Sequence, residues 1–166
     1  SCDTSEADYL GIIYGKTASL FELACLAAAR STDAPEEVFA AAGAYRKALG
    51  LAFQIKDDIL DYTGGDIGKP AGLDLAERKI TLPLLGALRG ASDGASVRAL
   101  VCTLPEHPEN REAILDFVAG RCGIAYAREV LHSYIDAAIR ALSPLPASRE
   151  KQILQEFARF NEIREK

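Results

Sequence analysis

Apolar residues along the chain recur at helical spacing, and strict apolar–polar alternation is scarce. The clearest stripe is Ile124, Ala127, Val130, Leu131, Tyr134, Ile135, Ala138, Ile139 and Leu142, which predicts one long amphipathic helix. Pro144 and Pro146 break it, and a last amphipathic helix is predicted over 148–163. Ser5, with Asp8 three residues on, reads as a capping box opening a first helix that runs to about Arg30. Asp33, then Pro35 and Glu36, opens a second helix that runs to about Tyr62 and stops at Gly64-Gly65. Residues 64–79 read as a loop rich in Gly and Lys. Thr81-Leu82-Pro83 opens a third helix with Thr81 as its cap, and shorter helices are predicted over 94–103 and 109–119. The pattern predicts an all-α fold whose antiparallel neighbours are joined by short loops.

Composition narrows the function classes. With 166 residues, 49% hydrophobic and 26% charged, the chain can bury a core and is not of the disordered type. A net charge of −5 argues against a general nucleic-acid binder. The apolar runs are short and interrupted, so no transmembrane segment is predicted. No pair among Cys2, Cys25, Cys102 and Cys122 has zinc-knuckle or redox-motif spacing, and Cys25 is expected to be a small buried hydrophobe. A reducing, cytoplasmic home is the simpler expectation. His107 and His132 are isolated and read as structural. The chain has no methionine and begins at Ser1, which is read as a cut or processed chain.

The chemistry concentrates in Phe53-Gln54-Ile55-Lys56-Asp57-Asp58-Ile59-Leu60-Asp61-Tyr62. Asp57 and Asp61 are i, i+4, and Gln54 precedes Asp57 and Asp58 by three and four, so all four are expected on one strip of helix. Leu49, Ala52, Phe53 and Leu60 flank that strip on one side, and Leu51, Ile55 and Ile59 on the other. A helix apolar on both flanks is expected to be largely buried, with its carboxylates lining an internal cleft. Two full charges about 4 Å apart repel by roughly 4 kcal/mol at an effective dielectric near 20. Such a cluster must protonate, pair with lysines or bind a cation, and oxygen-only donors suit Mg²⁺ or Mn²⁺ better than zinc. The competing reading is a solvated acidic face.

Lys16 and Thr17 interrupt the first helix's stripe of Ile13, Leu20 and Ala24, where a lysine ordinarily snorkels or pairs. Lys69 lies in Gly68-Lys69-Pro70-Ala71-Gly72, and Lys79 follows after Asp74 and Arg78. Each lysine alone reads as surface charge. Together, carboxylates that hold a divalent cation and lysines on neighbouring loops suit a diphosphate, with diphosphate itself as leaving group. No activated Ser, Cys or His nucleophile is evident.

At these residues the chain resembles the trans-isoprenyl (polyprenyl) diphosphate synthases. Tyr9-Leu10-x-x-Ile13-x-x-Lys16-Thr17-Ala18-x-Leu20-Phe21 is similar to that family's KT helix. Phe53-Gln54-x-x-Asp57-Asp58-x-x-Asp61 is similar to its second aspartate-rich motif. Gly68-Lys69-x-x-Gly72-x-Asp74-Leu75 and Lys79-x-Thr81-Leu82-Pro83 match the loop and helix start that follow, and Arg164 and Lys166 resemble its basic tail. The resemblance covers the whole chain but only the second half of a family member, so residues 1–166 are expected to be the C-terminal half of a polyprenyl synthase domain.

The resemblance implies an all-helical bundle around a deep cavity, in which isopentenyl diphosphate condenses head-to-tail with an allylic diphosphate. It implies Asp57 as the metal ligand, with Asp58 and Asp61 orienting it directly or through waters. It implies Lys16, Lys69 and Lys79 on the allylic diphosphate, Thr17 and Gln54 stabilising the carbocation or assisting proton loss, and Phe53 on an apolar wall. It also implies Mg²⁺ as cofactor, Mn²⁺ as substitute, and a homodimer for the full-length protein. The Lys16 region and Asp74-Leu75-Ala76-Glu77-Arg78-Lys79 are closer to medium- or long-chain synthases, implying a quinone side chain or carrier-lipid precursor as product.

The departures are as informative. Asp57-Asp58-x-x-Asp61 is the only DDxxD here, so the family's first aspartate-rich motif and its upstream basic residues are absent. A second reading is therefore a non-catalytic helical subunit that completes a separate synthase. A third is a terpene cyclase or head-to-head synthase, which the Lys79-x-Thr81-Leu82-Pro83 match disfavours.

Overall fold

The computed structural model describes residues 2–16, 35–64 and 72–162, and every regular element among them is a helix. In order these are α1 (described over 6–16), α2 (Glu36–Thr63), α3 (Leu73–Ala76), α4 (Leu82–Leu88), α5 (Gly94–Cys102), α6 (Asn110–Gly120), α7 (Gly123–Ala141) and α8 (Arg149–Arg159). The all-α expectation holds. The extension of the first helix beyond Lys16, the Asp33 start signal and Cys25 lie outside the described residues.

Local chemistry sets most boundaries where the pattern places them. The capping box at α1 is complete: Asp8 N donates to Ser5 Oγ at 3.1 Å, and Ser5 N donates to Asp8 Oδ2 at 3.0 Å. Those Ser5 hydrogen bonds hold the Asp8 carboxyl below its usual range. α2 ends at Gly64, whose φ of 68° is the left-handed conformation that stops a helix. Ser148 caps α8 by accepting from Lys151 N at 3.1 Å. Thr81 is the N-cap of α4, as expected, but its hydroxyl makes no cap bond.

The chain forms two compact units, Ser1–Tyr9 with Asp57–Glu129, and Leu10–Lys56 with Val130–Lys166. In the first, α6 packs on α4 and α5, and Leu75, Leu82, Leu84, Val101, Ile114 and Val118 are fully buried. The segment before α1 is tied to α5, where Arg98 Nη1 donates to the carbonyls of Cys2 at 2.7 Å and Thr4 at 3.2 Å. A disulfide joins Cys2 to Cys102, with Cα atoms 5.9 Å apart. The expectation of a reducing home rested on sequence spacing, and spacing carries no information about a contact made across 100 residues. Cys122 is free and exposed.

In the second unit, Ala41, Tyr45, Ala48, Leu51, Ala52 and Ile55 bury one side of α2, and Leu131, Ile135, Ala138 and Leu142 bury one side of α7. The α7 stripe read from the sequence is buried or half-buried at every position. Tyr45 Oη donates to the Leu154 carbonyl at 2.7 Å and so ties α2 to α8.

Two expectations change. The stretch read as loop over 64–79 contains α3, for a reason given below. The flank of α2 that carries Phe53 is only partly closed: Ala52 is fully buried, Leu49 and Leu60 are half-buried, and Phe53 is 55% exposed.

Within the first unit, α4 and the first turn of α7 meet backbone to backbone. A Cβ on Gly123 would lie 2.2 Å from the Pro83 carbonyl oxygen, and one on Gly86 would lie 2.6 Å from the Tyr126 ring. Gly123→Ala should therefore destabilise the chain by overpacking, by about 1–3 kcal/mol or more. Urea denaturation reads this directly, and an unchanged midpoint would mean that the two helices do not approach this closely.

Candidate functional site

Successive residues on a helix point about 100° apart, and this decides what each carboxylate of the DDxxD stretch can do. Asp57 is exposed, whereas Asp58 turns into the first unit and retains only 4% exposure. A carboxylate removed from water is costly unless a donor meets it. Tyr9 supplies that donor, its Oη donating to Asp58 Oδ2 at 2.5 Å, and both side chains are buried. Tyr9 sits in the first turn of α1, next to the Ser5–Asp8 capping box, so the cap also places the phenol.

Asp61 has a different task. Its Oδ1 accepts from Leu73 N at 3.1 Å and its Oδ2 from Asp74 N at 3.3 Å, while its carbonyl accepts from Gly72 N at 2.9 Å. The N-cap residue of α3 is Gly72, which has no side chain and a φ of 78°. Asp61 supplies from α2 the carboxylate oxygens that a capping side chain would otherwise provide. This is why a four-residue helix stands where the sequence reads as loop. Burial raises the Asp61 carboxyl above its usual range, and the nearby Asp74 charge adds to this. The two amide bonds and Lys79 oppose the rise.

α3 in turn holds Lys79. Its Nζ pairs with Asp74 Oδ1 at 2.8 Å and Glu77 Oε2 at 2.7 Å, and its backbone N donates to the Asp74 carbonyl at 2.9 Å. Hydrogen bonds to Asp74 and Glu77 hold the ammonium well above its ordinary range, so Lys79 is a cation throughout the physiological range. Tyr62, one turn after Asp58, is buried and its phenol is held protonated, chiefly by that burial.

The expected site residues fall in both units. Asp57, Asp58, Asp61 and Lys79 belong to the first; Lys16, Phe53 and Gln54 belong to the second. Lys16 and Phe53 are exposed and Gln54 is half-buried. Thr17 and Lys69 lie outside the described residues. The expectation of one carboxylate strip in an internal cleft is corrected in two ways. Asp58 is buried while Asp57 is exposed, and Phe53 is not enclosed. Tyr9 and Asp74 were not singled out as partners from the sequence. The available signal for Tyr9 was its helical spacing with Ile13, since a tyrosine on a core stripe needs a partner for its hydroxyl.

Among the described residues no group of three or more His, Cys, Asp or Glu side chains is gathered to hold a metal ion. Asp58 and Asp61 already direct oxygens to Tyr9 and to the α3 amides. Asp57 is the exposed carboxylate of the three. That donor set does not make an all-protein cage. It does fit Mg²⁺, which keeps several waters and is held by one or two carboxylates together with substrate phosphates.

The family model described as polyprenyl synthetase matches residues 1–118. An octaprenyl diphosphate synthase from Haemophilus influenzae is 40% identical over 161 residues, covering 94% of this chain and 48% of its own length. The crystal structure of a polyprenyl synthase from Caulobacter crescentus, complexed with calcium and isoprenyl diphosphate, superposes with a TM-score of 0.85 at 33% identity. That match covers 99% of this chain and 51% of the other. A geranylgeranyl pyrophosphate synthase from Bacteroides thetaiotaomicron gives a TM-score of 0.87 at 33% identity, over 99% of this chain and 55% of its own. The chain spans one third to one half of the length of the curated relatives it matches. No described helix is long and apolar enough to cross a membrane.

Removing the phenol tests the Tyr9–Asp58 bond. Tyr9→Phe removes one donor from a buried carboxylate and should cost about 1–3 kcal/mol in urea unfolding. A change within about 0.5 kcal/mol, the range of neutral surface substitutions, would mean that the bond contributes no net stability.

Proposed function

Given that the chain belongs to the polyprenyl synthetase family, we propose that it is the C-terminal half of a prenyltransferase. That enzyme would condense isopentenyl diphosphate head-to-tail with an allylic diphosphate and release diphosphate. The observation that carries this reading is the division of labour on α2. Asp58 and Asp61 are tied by hydrogen bonds within the first unit, and Asp57 is left exposed beside them on the same helix.

In this reading Asp57 is the direct metal ligand, with Asp58 and Asp61 orienting the helix that carries it. Asp57 would hold Mg²⁺, or Mn²⁺ in its place, and the ion would supply positive charge that favours the departure of diphosphate. Lys16, Lys69 and Lys79 neutralise the remaining phosphate charge and hold the allylic substrate in place. As diphosphate leaves, Thr17 and Gln54 would stabilise the allylic cation or assist the loss of its proton after condensation. Phe53 forms part of an apolar wall along the second substrate. Its exposure on an otherwise apolar flank of α2 supports a further segment covering it in the whole enzyme. The remaining metal ligands and the isopentenyl diphosphate site belong to the other half of the domain. The whole enzyme is read as a homodimer making a medium- or long-chain product.

Two measurements test the reading. Residues 1–166 alone should not incorporate labelled isopentenyl diphosphate into longer prenyl products, and turnover by the isolated chain would refute the half-site assignment. In the full-length protein, Asp57→Ala should lower turnover by about 10²–10³-fold, a loss typical of removing one preorganised electrostatic group. Circular dichroism should stay unchanged. A rate near wild type would sink the assignment of Asp57.

A further inference from the structure

Both oxygens of Asp61 accept backbone amides of α3, and the second residue of α3, Asp74, pairs with Lys79. The path is short and made of directed bonds: Asp61 to the Leu73 and Asp74 amides, then Asp74 to the Lys79 backbone and ammonium. All of these residues lie in the first unit. We propose that Asp61 is a positioning residue for Lys79, acting through α3, and contributes to diphosphate binding by placing that ammonium.

The alternative for Asp61 is that it binds the metal directly, as its place in a DDxxD stretch suggests. Turning its carboxylate to an ion would release two amides at the start of α3. Gly72 has no side chain with which to recapture them. A four-residue helix has too few internal hydrogen bonds to persist without help, so its geometry depends on this external cap. Gly72 N on the Asp61 carbonyl adds a third bond to the same residue, and Lys79 follows α3 by three residues. The Asp74 and Glu77 carboxylates flank the ammonium without burying it, since the Lys79 side chain stays 46% exposed. Such a cation is oriented and still open to a ligand.

The proposal rests on the reading of Lys79 as a diphosphate contact, and the test separates the two. Hydrogen exchange on the 166-residue chain reads the tie itself. In Asp61→Ala the amides of Leu73, Asp74 and Lys79 should exchange about tenfold faster or more, with α4 amides unchanged. Calorimetric titration with inorganic diphosphate in the presence of Mn²⁺ reads the consequence. Asp61→Ala and Lys79→Ala should each weaken diphosphate about tenfold. The double variant should be no weaker than Lys79→Ala alone, because both act through one group. Mn²⁺ affinity, followed by electron paramagnetic resonance, should fall with Asp57→Ala and fall clearly less with Asp61→Ala, which removes no direct ligand. Asp61→Asn keeps one acceptor, so it should give an intermediate loss and serves if the alanine variant fails to fold. Unchanged exchange at Leu73 and Asp74, additive losses in the double variant, or a fall in Mn²⁺ affinity matching Asp57→Ala would each overturn the proposal. If the wild-type chain itself does not bind diphosphate, the functional reading of Lys79 fails and the proposed contribution to binding fails with it. The exchange result then still decides whether Asp61 holds α3.

Discussion

The 100° step between neighbouring helical residues is the constraint on which the acidic region depends. It prevents Asp57 and Asp58 from sharing a face, however alike they look in sequence. Because Ile55, Ile59 and Tyr62 are drawn into the core, Asp58 goes with them and Asp57 does not. A carboxylate taken inside must find a donor, and the phenol of Tyr9 is that donor. The Ser5–Asp8 cap then gains a consequence beyond starting a helix. It sets the turn from which Tyr9 reaches α2, so a local signal at residue 5 bears on a carboxylate 53 positions away.

Features that depend on neighbours within three or four residues were legible in the sequence. The capping box at Ser5, the stop at Gly64, the α7 stripe and the starts of α5, α6 and α8 fall where spacing predicts them, because helix boundaries are set by local orphan amides and carbonyls. Features that depend on a distant partner were not. α3 was hidden because its cap is Asp61 on another helix, so the segment has loop composition and helical geometry at once. Asp58 was grouped with Asp57 because spacing gives an angle but not which side of the helix the core lies on. The Cys2–Cys102 pairing fails for the same reason, as do the Gly86 and Gly123 contacts, whose need for a bare backbone shows only once Pro83 and Tyr126 lie against them.

At the site, the family was legible and the arrangement of its side chains was less so. A DDxxD run with lysines at family-like spacing points to the polyprenyl synthase family, and the family match over residues 1–118 agrees with it. The run does not say that its three carboxylates do three things. Asp58 works as the anchor for Tyr9, Asp61 as the cap of α3, and Asp57 remains exposed. A motif of this kind is thus partly a folding signal. Two of its acids build the platform on which the third stands.

The energetics of Lys79 fit a role in orientation better than one in stability. An ion pair as exposed as Lys79 with Asp74 contributes roughly 0–1 kcal/mol to folding, since water screens it and two side chains must be held still. Its worth lies elsewhere. Immobilising a long side chain on ligand binding costs about 0.5–1.5 kcal/mol, and a lysine already held by Asp74 and Glu77 has lost much of that freedom before a ligand arrives. The partners are themselves anions, so the proposed diphosphate would compete with them for the ammonium and would gain from the placement only if the carboxylates stay where they are. A fixed α3 meets that condition and a fraying one does not, and its fixity traces back to the carboxylate of Asp61 on α2.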